Sequence, residues 1–311
     1  MAATVSPDHI LRELSNLWVD LGKQSEGVLR ACSMTLVVLA DESDDEQAIG
    51  ETLAALMPEH PARTILIRLR PAAERTLTER VYSQCWMPFG QRRQICCEQI
   101  EITASDSALD DLASVVLPLA VADLPLIVWC RSVRLVSMRE FRGIAAMAHK
   151  VIVDSTTFPD TPLPEGMLLG DLAWTRLTRW REMLSQVFEN PKQLAELTKV
   201  ARVRVTWSGT NRPLARYMAA WIANCLDEIG VHPEVTLAVA AEESLHVVLE
   251  GEGTHVELSR EADRLKVTVN GLTNCTSLSQ PTDYLLMREE LGIVRRDPVF
   301  EAALARVRRG V

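Results

Sequence analysis

The side chains best suited to chemistry are scattered along this chain, and one segment concentrates tryptophan and arginine instead. Over Asp171-Leu-Ala-Trp-Thr-Arg-Leu-Thr-Arg-Trp-Arg181, two tryptophans and three arginines stand within eleven positions. Apolar residues at Ala173, Leu177, Trp180, Leu184 and Val187 recur in steps of four and three, the spacing of one helix face. Asp171 is placed to cap such a helix and Asn190-Pro191 to end it. Trp174, Arg176, Arg179 and Arg181 are then expected to face another surface. With Trp180 they form a candidate partner-binding group, because tryptophan and arginine are enriched at binding hot spots. The competing reading is an ordinary solvated face.

Three further groups invite a chemical reading. Ser208-Gly-Thr-Asn-Arg212 lies between an expected strand and an expected helix. Ser208, Gly209, Thr210 and Arg212 are candidates for holding an anion such as a sugar phosphate, against the plainer reading of a cap and turn. Cys96 and Cys97 are adjacent on an expected strand, where neighbouring side chains point to opposite faces. One thiol should be buried and the other accessible, so the pair is a candidate redox site; Cys85 is a conceivable partner that the sequence does not place. The six histidines are dispersed, with His246 and His255 expected as solvated cross-strand neighbours rather than metal ligands. With no CxxC, HExxH or GxSxG motif, no catalytic residue, metal or cofactor is assigned.

The elements that must position these groups fall into two halves. A chain of 311 residues exceeds what one core usually holds, and 47% hydrophobic content suffices for two. Residues 6–24 carry an amphipathic helical pattern. Met34–Leu39, Arg63–Arg68, Gln94–Ile102, Leu126–Trp129 and Val151–Val153 read as buried strands, with helices expected over 45–57, 107–121 and 137–148. Apolar strands alternating with helices imply a doubly wound, mostly parallel α/β sheet. The expected organisation is a Rossmann-like domain over 1–160, a break at Pro159, Pro162, Pro164 and Gly166, and a smaller α+β domain with an antiparallel sheet over 167–311.

The Rossmann-like half lacks the usual phosphate cradle. Its first strand runs into Ala40-Asp-Glu-Ser-Asp-Asp-Glu46, five carboxylates and no glycine, and neither GxGxxG nor GxxxxGK[ST] occurs. A formal charge of −9 argues against nucleic acid. The apolar run Ala113–Cys130 is interrupted by Pro118, Asp123 and Pro125, so no membrane span is expected. The N-terminal residues do not resemble a signal peptide, and a cytoplasmic protein is the expectation.

Five segments together resemble the glucose-6-phosphate dehydrogenase assembly proteins of the OpcA type. They are Arg93–Ile100, Ala113–Trp129, Val151–Ser155, Gly170–Arg181 and Leu286–Leu304, in the family's order. Gly170-Asp-Leu-Ala-Trp-Thr-Arg-Leu-Thr-Arg-Trp-Arg181 is the most specific of them. The resemblance implies a non-catalytic protein that associates with glucose-6-phosphate dehydrogenase, favours its active oligomer and tunes its response to substrate. Family members in photosynthetic bacteria are linked to thioredoxin-dependent control, which makes thioredoxin a second candidate partner. Cys130 stands where many relatives have a second tryptophan, and the family pattern assigns no site residue here.

Overall fold

The computed structural model describes residues 6–24, 28–88, 93–157, 165–241, 245–293 and 295–310. Three of the four expected break residues, Pro159, Pro162 and Pro164, lie outside them. The described residues divide into two compact units. The first holds those up to Asp154, those of 165–170 and the helix Asp283–Gly292; the second holds most of the remainder. A single boundary therefore does not describe the chain, since a helix from near its end belongs with the first unit.

The first unit is built on an eight-stranded sheet: β1 (Leu29–Arg30), β2 (Met34–Asp41), β3 (Ala62–Arg70), β4 (Leu77–Trp86), β5 (Ile95–Ser105), β6 (Leu126–Cys130), β7 (Lys150–Val153) and β8 (Leu169–Asp171). The order is β1-β5-β3-β2-β6-β7-β8, with β4 against β5. The pairs β5–β3, β3–β2, β2–β6 and β6–β7 are all parallel. Val37, Val38, Leu39, Ile65, Ile67 and Val128 are wholly buried, so the central strands are covered on both faces, as their unbroken apolar runs require. This is the doubly wound α/β sheet that the alternation of elements implies.

β4 is absent from the sequence reading and runs antiparallel to β5 over its whole length. Its residues Thr78, Glu79, Arg80, Ser83 and Gln84 are polar and it is mostly half-buried, so it lacks the apolar signal of its neighbours. The helix Asp283–Gly292 is held by Lys150, whose ammonium lies 2.7 Å from Glu290 Oε1 and donates to the Glu290 carbonyl at 2.9 Å. Both side chains are buried, and removing either partner would strand a charge at a cost of about 3–5 kcal/mol. Gly170 is required beside them, because a Cβ there would overlap the Glu290 carboxylate.

The second unit has a six-stranded sheet: β9 (Val200–Trp207), β10 (Glu234–Val239), β11 (Leu245–Gly251), β12 (Thr254–Glu261), β13 (Arg264–Val269) and β14 (Leu272–Ser277), in the order β10-β9-β11-β12-β13-β14. All pairs are antiparallel except β10–β9. The alternation is clean: Val203, Val205, Val247, Val256, Leu258, Leu265 and Val267 face the core. Arg202, Arg204, His255 and Lys266 point the other way, the pattern of a sheet with one solvated face. The helix Arg212–Glu228 supplies much of the apolar layer, with Ala215, Tyr217, Met218, Ala219 and Ile222 buried.

Candidate functional site

In an open α/β sheet, ligands enter beyond the carboxyl ends of the strands where the strand order reverses. Here that point lies between β2 and β6. Arg134, on the short helix after β6, spans it. Its Nη2 donates to Asp41 Oδ1 at 2.8 Å and its Nη1 to Asp106 at 3.0 Å, tying together the ends of β2 and β5. Every carboxylate of the acidic loop is engaged. Asp41 bonds Arg134, Glu42 bonds Arg70 at 2.9 Å, Asp44 accepts from the Asp41 amide, Asp45 caps the next helix through the Ala48 amide, and Glu46 pairs with Arg68. The helix terminus that would hold a pyrophosphate is thus capped by the protein's own anion. Ion pairs among part-exposed side chains thus cross the crest where a dinucleotide fold would place a glycine-rich phosphate loop.

The Trp174–Arg181 segment is the centre of the second unit, and it corrects the sequence reading. The expected single helix is two, Leu172–Thr175 and Thr178–Phe188, with a turn at Arg176–Leu177. All four residues of the first short helix, Leu172, Ala173, Trp174 and Thr175, are buried, so Trp174 lies inside whichever way it faces. Trp174 and Trp180 are 3% and 4% exposed, too little to meet a partner directly. Trp174 packs against Tyr217 and Phe300 with ring centroids 6.0 and 5.7 Å apart, and its indole N–H donates to Asp297 at 3.3 Å. Each such ring pair adds about 0.5–1.5 kcal/mol beyond area burial.

Asp171 is fully buried and organises this cluster. Its carboxylate accepts from the Ser155 and Ala173 amides, each at 3.0 Å, and from the Tyr217 hydroxyl at 2.8 Å. Burial, and then the neighbouring Asp171 charge, push the Tyr217 hydroxyl well above its ordinary pKa, so it remains a donor. The capping role expected of Asp171 is present. Tyr217 was not singled out in the sequence, because nothing local links positions 46 residues apart.

The arginines separate into different environments. Arg179 is exposed and bonds Glu182 at 2.9 Å. Arg181 lies over the Trp174 ring with its guanidinium carbon 3.5 Å from the centroid and bonds Thr178 at 3.0 Å, so it is partly structural. Arg176 is half-buried in the turn. Beside them runs a cleft not foreseen from sequence. One part, about 430 Å³, is lined by Arg181, Ser185, Glu189, Trp221, Asp297 and Val299 among others. The adjoining part, about 250 Å³, shares Ser185, Glu189 and Trp221 and reaches Phe188, Cys225 and Leu249. Trp221 stands on the same helical stripe as buried core residues, so sequence gave no sign that it borders a cleft.

The remaining candidates are not drawn into that cleft. Ser208 is buried, while Gly209, Thr210 and Arg212 are exposed at the start of the helix Arg212–Glu228. Neither Ser208 nor Asn211 makes a side-chain cap there. Cys96 and Cys97 are both buried, which corrects the expectation of one accessible thiol, because β5 is covered on both faces. Cys96 is bonded to Cys85, directly opposite it on β4. Burial pushes the Cys97 thiol up to about 11, which keeps it protonated and unreactive at neutral pH. His246 and His255 are not directly opposed: their cross-strand partners are Ser259 and Glu250. They share a face and flank Glu257, at 2.8 and 3.8 Å. Among the described residues no cluster of three or more His, Cys, Asp or Glu is arranged to hold a metal. No described helix is long and apolar enough to cross a membrane.

Fold and site define a two-unit α/β protein on a doubly wound sheet whose crest is crossed by ion pairs among its own side chains. Residues 54–166 match the glucose-6-phosphate dehydrogenase subunit N-terminal domain, and residues 167–304 match the C-terminal domain of the same subunit. The chain belongs to the OpcA family of glucose-6-phosphate dehydrogenase assembly proteins. An OxPP cycle protein OpcA of Nostoc punctiforme is 30% identical over 43% of this chain and 30% of its own length. Its namesake in Synechocystis sp. is 27% identical over 57% of this chain and 39% of its own length. The matched region is thus well under half of either relative. Among solved structures, a biliverdin reductase from Synechocystis sp. is similar at a TM-score of 0.45 and 9% identity, covering 88% of this chain and 96% of that one. A UDP-N-acetylglucosamine 3-dehydrogenase from Acidithiobacillus ferrooxidans gives 0.44 and 9%, over 90% and 96%. Likeness at that level bears on no question of function.

Proposed function

We propose that this chain is a non-catalytic assembly factor and allosteric activator of glucose-6-phosphate dehydrogenase, acting on the oxidative pentose phosphate pathway from the cytoplasm. It binds the enzyme and favours its active oligomer. The observation that carries this reading is the match of residues 54–166 and 167–304 to the two domains of a dehydrogenase subunit. The ion pairs that cross the crest between β2 and β6 are consistent with it, since a regulatory subunit has no need of a dinucleotide there. Activation requires tighter binding to the active oligomer than to the inactive one, because only differential affinity shifts such an equilibrium.

The contact surface is the outward side of the helix Thr178–Phe188 with its neighbouring cleft. Arg179 is the exposed cation there, and Arg181 and Trp221 border the cleft. The buried Trp174 and Trp180 hold that helix in place rather than touching the enzyme, and Arg176 is half-buried at the turn before it. Mixing the chain with its cognate dehydrogenase should give one co-eluting species on size exclusion. Arg179→Glu should weaken it with the fold intact, and separate elution at micromolar concentrations would refute the reading.

A second reading, a sugar-phosphate-binding enzyme or sensor, is favoured by one feature: the exposed Gly209–Thr210–Arg212 turn precedes a helix without a side-chain cap. It requires saturable heat in calorimetry with glucose 6-phosphate or 6-phosphogluconate, weakened by Arg212→Ala.

A further inference from the structure

The second unit's sheet ends in a strand that does little within the chain itself. All six residues of β14, Leu-Thr-Asn-Cys-Thr-Ser, are exposed, and Leu272 is 78% exposed. Exposed edges ordinarily carry lysine, proline, a bulge or inward charge that blocks pairing with another chain. β14 has no charged residue and no proline, and its register with β13 is unbroken from Leu272 to Ser277. The opposite edge, β10, carries Glu234 and pairs in parallel. The neutral edge is therefore the one suited to a neighbouring strand.

The hairpin geometry fixes which backbone groups that edge offers. The two-residue turn Asn270–Gly271, both with positive φ, makes Val269 and Leu272 a hydrogen-bonded pair. Bonded and non-bonded pairs then alternate along the ladder. The Leu278 amide donating to the Asp263 carbonyl keeps that phase to the strand's end. Leu272, Asn274 and Thr276 thus bond to β13, while the amides and carbonyls of Thr273, Cys275 and Ser277 point outward. These three positions are symmetric about Cys275.

We propose that β14 is a self-pairing edge, and that two copies of this chain join through it, antiparallel, about a twofold axis at Cys275. Cys275 then faces Cys275 of the second copy, and Thr273 faces Ser277 in both directions, each pair exchanging two backbone bonds. The argument for a second copy over an unrelated strand is the strand's complementarity to itself. An isologous contact places every residue against its own surface, so any charge near the axis would meet its like. In a chain of net charge −9, β14 is a neutral strip that meets this condition. The pairing also places the exposed Leu272 opposite Leu278 of the other copy, on one face of the extended sheet. Across a bonded antiparallel pair the two Cys275 Cα atoms would stand about 5.5 Å apart, within the roughly 4.4–6.8 Å that a disulfide spans.

The test uses the whole chain carrying Cys225→Ser, which removes the other exposed thiol. Sedimentation equilibrium should show a reversible dimer, and mild copper–phenanthroline oxidation should trap it as a reducible covalent dimer. Cys275→Ser should abolish the trapping but keep the reversible dimer. Thr273→Lys with Ser277→Lys should weaken the dimer at least about tenfold, because like charges would oppose one another across the axis. Unchanged circular dichroism would show that these exposed substitutions leave the fold intact. A chain that stays monomeric at the highest soluble concentration overturns the proposal, as does a dimer indifferent to both lysines. A chain monomeric alone, whose lysine variant loses a protein partner, overturns it equally by giving the edge to that partner.

Discussion

The two sheets of this protein make opposite use of similar material. The sheet of the first unit has the form that usually binds a dinucleotide, and it is shut: buried on both faces, and tied across its switch point by Arg134, Asp41 and Asp106. The sheet of the second unit has no enzyme-like signature, and it is open. One face carries Arg202, Arg204, His246, His255, Glu250 and Glu257, and one edge is bare. A fold associated with catalysis does not by itself fix a function, which rests on the side chains placed on it.

Breaking each unit at its buried centre should have the largest effects. Asp171→Ala removes the acceptor for two amides and the Tyr217 hydroxyl and should cost about 3–4 kcal/mol, since bonds to a buried charge are each worth roughly 1.5–3 kcal/mol. Urea denaturation followed by tryptophan fluorescence measures it; a loss below 1 kcal/mol would deny Asp171 its central role. Cys85→Ser with Cys96→Ser removes the crosslink between β4 and β5 and should cost about 2–3 kcal/mol, the usual worth of a crosslink closing a short loop. The same loss should appear in the parent under reductant.

Smaller effects sharpen the contrast between shut and open. Arg134→Ala should cost only about 1 kcal/mol, because its ion pairs are part-exposed. It should confer no NADP binding in calorimetry, since the five carboxylates remain. Measurable NADP affinity in that variant would mean that Arg134 alone closes the crest. Arg179→Glu should change stability by less than about 0.5 kcal/mol, as exposed substitutions do, while weakening the dehydrogenase complex. Arg181→Glu is a poorer probe because that guanidinium also stacks on Trp174.

The parallel core was legible in the sequence because β2, β3, β6 and β7 carry apolar runs, the composition that burial on both faces favours, with Thr35, Arg63 and Lys150 as buried polar exceptions. β4 was not, since a half-solvated strand against β5 mixes Thr78, Glu79 and Gln84 with its apolar residues. The break at Arg176–Leu177 was equally hidden: Ala173, Leu177, Trp180 and Leu184 keep helical spacing straight through it. That continuity placed Trp174 outside, whereas the whole of Leu172–Thr175 is buried. The most distinctive motif of the chain is thus in large part internal wiring, held by Asp171 and Tyr217. The disulfide lay beyond sequence reasoning for a related reason, since only the register of β4 on β5 brings Cys85 opposite Cys96.

The proposed role, regulation of a dehydrogenase by a protein that does no chemistry itself, is open to direct measurement. The most direct test is the steady-state rate of purified cognate glucose-6-phosphate dehydrogenase against glucose 6-phosphate, with and without equimolar chain. The account predicts a lower apparent KM or a higher kcat, saturating with the chain, and no turnover by the chain alone. An unchanged rate curve across a range of chain concentrations, or turnover without the dehydrogenase, would contradict it.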